Sequence, residues 1–298
     1  MFRFCNVITL VLSMMLGSSA YADDKVPVVA SFSTLGDIIQ EISGERVTVS
    51  TLVGANADAH VFQPAPQDAK RVAEAKLVVT NGLGFEGWID RLIKASGRKP
   101  MVVVASKGIN PIKSKDDHGH GHGDLDPHAW QDVGNVKQYA ATIAKALAKI
   151  DPSGADEYAQ REAAYQAKLD ALDAEIKASI AAIPVERRKL ITSHDAFGYF
   201  AKAYGMTMIA PQGVSTETEA SAKDVAKIIR QIKAEKISAM FLENVTDPRL
   251  IEQISRETGI KIGGKLYSDA LSEPDGLAGS YIAMMENNIR EMKKALLP

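Results

Sequence analysis

Eight short runs of continuous apolar residues, each followed by a stretch of helical periodicity, leave this chain few ways to fold. In the first half the runs are 26–32 (VPVVASF), 47–53 (VTVSTLV), 76–82 (KLVVTNG) and 101–106 (MVVVAS), separated by helical patterns near 35–43, 66–75, 85–96 and 132–150. The second half repeats the rhythm with 189–193 (KLITS), 207–211 (TMIAP), 238–243 (SAMFLE) and 261–267 (KIGGKLY). A strand that is apolar at every position is buried on both faces, as in a parallel sheet covered by helices on both sides. Two α/β lobes are expected, and 298 residues suffice for both.

Between the halves, residues 151–184 hold no helix breaker beyond Gly154 near the start, and Tyr165, Leu169, Leu172, Ile176 and Ile183 recur on one helical face. Asp151 or Ser153 can cap this helix and Pro184 ends it. At 1.5 Å per residue it would span roughly 45 Å. Such a rod either restricts how far two lobes can open or simply packs against both.

The N-terminus reads as a secretory signal peptide over residues 1–22: Arg3, an apolar run over 5–16, and Ala20-Tyr21-Ala22 before Asp23. The run is too short to span a bilayer, and Cys5, the only cysteine, lies at its front rather than at its end. A soluble periplasmic protein without thiol, disulfide or lipid anchor is expected. Loss of Arg3 with the signal moves the formal charge from −2 to −3. No basic stripe suggests nucleic acid as a partner.

With thiolates removed, metal chemistry falls to imidazole and carboxylate. All six histidines stand where a divalent ion can use them: His60, His118, His120, His122, His128 and His194. His60 follows the second run, His128 the fourth, His194 the fifth, and Asp269 the last. In open α/β sheets, ligand groups gather beyond the carboxyl ends of the strands, so these four can face one another across a cleft. Three imidazoles and one carboxylate form a closed tetrahedral set for Zn2+, with no obligatory open position for a reacting water. Each also has a duller reading as a turn or capping residue; His194 and Asp195 can cap a helix starting at Ala196, and Asp269 one before the last helix. Asp58 reads as a turn or supporting group. Glu217 and Glu219 either border the cleft or lie in a solvated turn.

The segments DAHVFQPAPQD, NGLGFEGWID, DDHGHGHGD, DPHAWQD, TSHDAFGYFAKAYGM and YSDALSEPDG together make the mature chain resemble the periplasmic metal-binding proteins of bacterial ABC importers for zinc, manganese and iron, and among them the zinc-binding members. The resemblance implies two Rossmann-like lobes with parallel sheets, 23–150 and 185–298, joined by one long connecting helix at 151–184. It implies Zn2+ held by His60, His128, His194 and Asp269, with delivery to an ABC permease of the inner membrane by a monomeric protein. Manganese and iron members usually have glutamate where His194 stands, so His194 favours zinc over the alternative of a manganese or iron binder. The His-rich loop 116–124 carries His118, His120 and His122 as a low-affinity metal collector, and a periplasmic zinc donor protein is a further partner to consider. An exported zinc hydrolase is the competing class, but no His-Glu-x-x-His helix and no Gly-x-Ser-x-Gly turn is present.

Overall fold

The computed structural model describes residues 25–114, 125–235, 237 and 239–297. The signal segment and the histidines of the loop, His118, His120 and His122, lie outside the described residues.

Each half builds a four-stranded, all-parallel sheet. In the first, β1 (Val26–Phe32), β2 (Val47–Val53), β3 (Leu77–Thr80) and β4 (Met101–Val104) lie in the order β2-β1-β3-β4. In the second, β5 (Lys189–Ile191), β6 (Thr207–Ile209), β7 (Ala239–Glu243) and β8 (Ile262–Leu266) repeat it as β6-β5-β7-β8. The chain reverses its winding direction between β1 and β3, and again between β5 and β7. Such switch points open a crevice at the carboxyl ends of the two strands.

All eight expected runs contain strands, and the central ones are covered on both faces: Val28, Val29, Ala30, Leu77, Val78 and Val79 are all buried. Met101–Val104 departs from this reading, since β4 is an edge strand with Val102 and Val104 exposed on one face. The third run stops at Thr80 because the chain then turns through Gly82, Leu83 and Gly84 at φ 84, 57 and 83°. That left-handed turn also delays the helix expected at 85–96, so α3 covers only Ile89–Ala95. Glu86 is its anchor: the buried carboxylate accepts the Ser31 hydroxyl and the backbone N–H groups of Asn81 and Gly82 at 2.6, 2.6 and 3.1 Å.

The remaining helices of the first half are α1 (Ser33–Ser43), α2 (Pro66–Glu74) and α4 (Val133–Ile150). The connecting helix, α5, runs Ala155–Ala181, 27 residues or about 40 Å. Neither expected cap operates. Asp151 is instead held by Arg46 at 2.8 Å and by the Tyr158 hydroxyl at 2.6 Å, and Gly154 occupies the capping position. Tyr165, Leu169, Leu172, Ile176 and Ile183 are buried as expected. They pack α5 against α1 and α4 on one side, and against α6 (Gly198–Tyr204) and α9 (Tyr281–Leu296) on the other. One apolar core therefore runs through both lobes. A smaller cluster of Ile191, Ile228, Ile232, Ile237, Met240, Ile251 and Ile254 seals the second sheet against α7 (Ala222–Glu235) and α8 (Arg249–Thr258).

Candidate metal centre

Two of the histidines are set by the same local device. In Asp58-Ala59-His60 and in Asp126-Pro127-His128 the aspartate Oδ1 accepts the histidine backbone N–H at 2.9 Å, folding each segment into a tight turn. Asp126 Oδ1 also lies 2.8 Å from His128 Nδ1, which leaves Nε2 of that ring to point inward. His60 rests edge-on against Phe85, with ring centroids 4.8 Å apart, and His128 stands 5.3 Å from Trp130.

His194 comes from the other lobe. No helix starts at Ala196. Instead His194 bridges to Gln212 in the parallel direction, and α6 begins two residues later than expected, at Gly198. Behind the ring, Glu243 Oε2 lies 2.7 Å from Nδ1, both side chains fully buried. Glu243 closes β7, the strand beside β5, so the switch point of the second sheet places this carboxylate behind the imidazole. Asp269 follows β8 and caps no helix; Ser280 caps α9. The backbone of Asp269 is fixed from the first lobe, because Trp130 Nε1 and Gln131 Nε2 both donate to Ser268 O at 2.8 Å.

The four side chains converge. His60 Nε2 and His128 Nε2 are 3.3 Å apart, and His194 Nε2 and Asp269 Oδ2 3.1 Å. Asp269 Oδ2 is 3.3 Å from His60 Nε2, and its Oδ1 is 3.5 Å from His128 Nε2. One donor atom from each residue lies within 4.8 Å of all the others, and all four residues are buried. Donors about 2.0–2.1 Å from a tetrahedral ion stand roughly 3.3 Å apart, so these edges match a site for one small divalent cation.

The electrostatics agree. Burial works against charge on every group here. Even so, the fields of His194 and His128 hold the Asp269 carboxyl well below its ordinary range. Burial likewise opposes charge on His128, but Asp269 and Asp126 outweigh it and push the ring up to about 9. Glu243 and Asp269 raise His194 in the same way. His60, which has no such carboxylate behind it, is lowered by burial despite Asp269. Three carboxylates thus surround a point that three imidazoles face.

Sequence reasoning missed Asp126 and Glu243. The first had a signal in the repeated Asp-x-His spacing, whereas the second stands 49 residues from His194 and was invisible locally. Glu217 and Glu219 are exposed and are not among the four clustered residues.

The match to known proteins follows this geometry. The family model for the periplasmic component A of the zinc-uptake complex covers residues 28–295. The chain belongs to this family. Its relatives include a manganese ABC transporter substrate-binding lipoprotein, PsaA of Streptococcus pneumoniae, at 30% identity over 99% of both chains. They also include the iron-binding protein YfeA of Yersinia pestis, at 33% identity over 91% of this chain and 86% of that one. The periplasmic zinc-binding protein TroA of Treponema pallidum superposes with a TM-score of 0.86 at 31% identity, covering 92% of this chain and all of the other. Like these relatives, the chain is a metal-binding substrate-binding protein of ABC transporters and not an enzyme. Among the described residues no helix is long and apolar enough to cross a membrane.

Proposed function

We propose that this protein captures zinc between its lobes, through His60, His128, His194 and Asp269, and hands it to an ABC permease of the inner membrane. The observation that carries the reading is the convergence of three imidazole Nε2 atoms and one carboxylate, all buried and within 4.8 Å of one another, with imidazole at the third position. Imidazole is a softer donor than carboxylate and suits zinc better than manganese. Four protein donors and full burial suit storage and slow exchange rather than hydrolysis. On this reading the chain matures near Asp23 as a soluble monomer, and its lobes comprise 23–150 and 185–298 with the helical connection at 151–184. His118, His120 and His122 collect metal weakly, from a periplasmic donor protein or from scarce free ion.

A manganese or iron role is the second reading. Two observations support it: the metals named for PsaA and YfeA, and the two oxygens of Asp269, each facing a different histidine, which would allow the higher coordination those ions prefer. Metal analysis of protein purified without added metal, followed by competitive titration of zinc against manganese, separates the two. Zinc as the retained ion and the tighter competitor supports the first reading. Retention of manganese against equal zinc would replace it with the second.

A further inference from the structure

Asp269 belongs to the second half of the chain but is bound into the first. Beyond the two bonds to Ser268 O, Leu271 N donates to Ser33 Oγ at 2.9 Å and Asn56 N to Leu271 O at 2.8 Å. At the end of the same segment, Tyr281 N donates to Asp37 Oδ2 at 2.8 Å, and the Tyr281 hydroxyl to Trp130 O at 2.8 Å. Residues 268–281 are thus fastened to the first lobe at both ends. One bond runs back to the end of β7, Asn244 Nδ2 to Ala270 O at 3.1 Å, but the bonds to the first lobe outnumber it and group Asp269 with His60 and His128, opposite His194 and the Glu243 behind it.

The boundary that must part to free a cation then lies between His194 and the other three. On its buried side the Tyr199 hydroxyl crosses to Asp126 O at 3.0 Å. Toward solvent, Thr216 Oγ1 donates to Asp58 Oδ2 at 2.6 Å, joined by a longer contact between Asn244 Nδ2 and Asn56 Oδ1 at 3.2 Å. Asp58 is also the residue whose other oxygen accepts the His60 backbone N–H at 2.9 Å. Thr216, for its part, follows a segment tied to His194: Gln212 N donates to Ser193 O at 3.3 Å, and Asp195 N to Gly213 O at 3.1 Å. A single hydroxyl–carboxylate bond therefore links the backbone turn that carries one ligand to the segment that carries the opposing one.

We propose that Asp58 and Thr216 form a clasp over the site, and that its breaking sets the rate at which a bound cation leaves by withdrawal of His194 from the other three ligands. The proposal rests on the metal-holding reading given above. A hydrogen bond to a charged acceptor is strong enough that its loss should speed opening roughly tenfold.

The test is stopped-flow release of zinc from the full chain into excess EDTA. Thr216→Val should release zinc about tenfold faster than wild type, with an unchanged melting temperature for the metal-stripped protein, and Thr216→Ser should restore the slow rate. Hydrogen exchange should show residues 193–195 and 212–216 gaining protection on zinc addition, while 268–281 stays equally protected with and without it. Release from Thr216→Val at the wild-type rate would overturn the clasp, as would loosening of 268–281 together with 212–216. Should equilibrium dialysis find that the wild type holds neither zinc nor manganese, the metal-holding reading would fall, and the clasp with it.

Discussion

Glu243 holds His194 twice: one oxygen lies 2.7 Å from ring Nδ1, and the other accepts the histidine's own backbone N–H at 2.9 Å. Ring orientation and peptide position therefore depend on one buried carboxylate. Replacing it by Glu243→Gln should weaken zinc binding by roughly 10- to 100-fold, the range for residues that orient metal ligands. Asp126→Asn should do the same through His128. Chelator competition measures both; wild-type affinity in Glu243→Gln would show that the contact does not govern the ligand.

His194 itself should matter more. His194→Ala is expected to lower zinc affinity by on the order of 100-fold or more, beyond the loss for an orienting residue. His194→Glu should instead shift the preference from zinc toward manganese, because a carboxylate is the harder donor. The quantity to follow is the ratio of zinc to manganese dissociation constants. An unchanged ratio in His194→Glu would count against the third position as the seat of selectivity.

Asp37 makes stability depend on pH in an unusual direction. Burial pushes its carboxyl from 3.8 up to about 6, against the pull of the Tyr281 N–H. The folded protein then holds this proton more tightly than the unfolded chain does. Its contribution is fully present below the unfolded value and is lost as pH rises through about 6, a change on the order of 3 kcal/mol. Asp37→Asn keeps an acceptor for Tyr281 and removes the titration. The variant should be more stable than wild type at about pH 8, with the advantage shrinking toward about pH 4.5. Urea unfolding across that interval tests this, and a difference independent of pH would refute it.

Removing residues 117–123 should leave the tight site nearly untouched. Lys113 and Leu125 pair in an antiparallel bridge, so the described chain on either side of this region is already held together. Calorimetry should keep one tight event and lose weaker ones, and uptake of scarce zinc should slow through loss of local concentration. Disappearance of the tight event would place the loop in the primary site.

Legibility followed the range of the interactions. Runs such as Val28, Val29 and Ala30 were readable because strands covered on both faces need apolar residues at every position. Met101–Val104 looked the same and is an edge strand, because a run of valines carries no mark of which sheet position it takes. The start of α3 was misread because Glu86, which folds the preceding turn, depends on Ser31, 55 residues away. The grouping of His60, His128, His194 and Asp269 was accessible from strand-end positions. Glu243 was not, since only the pairing of β5 with β7 brings it behind His194. The bonding of Asp269 to the opposite lobe left no trace in the order of the elements.

The core that passes unbroken through α5 also bears on how this protein can be recombined. Tyr165, Leu169 and Ile176 are buried in a cluster that includes Leu35, Ile143 and Met285, contributed by α1, α4 and α9. Neither lobe is a cassette with a sealed surface of its own. A chimera joined within this helix would inherit half of a packing seam from each parent, and close-packed interiors tolerate mismatched volume poorly. The lobes should therefore melt as a single cooperative unit, and substitutions in one should be constrained by residues in the other.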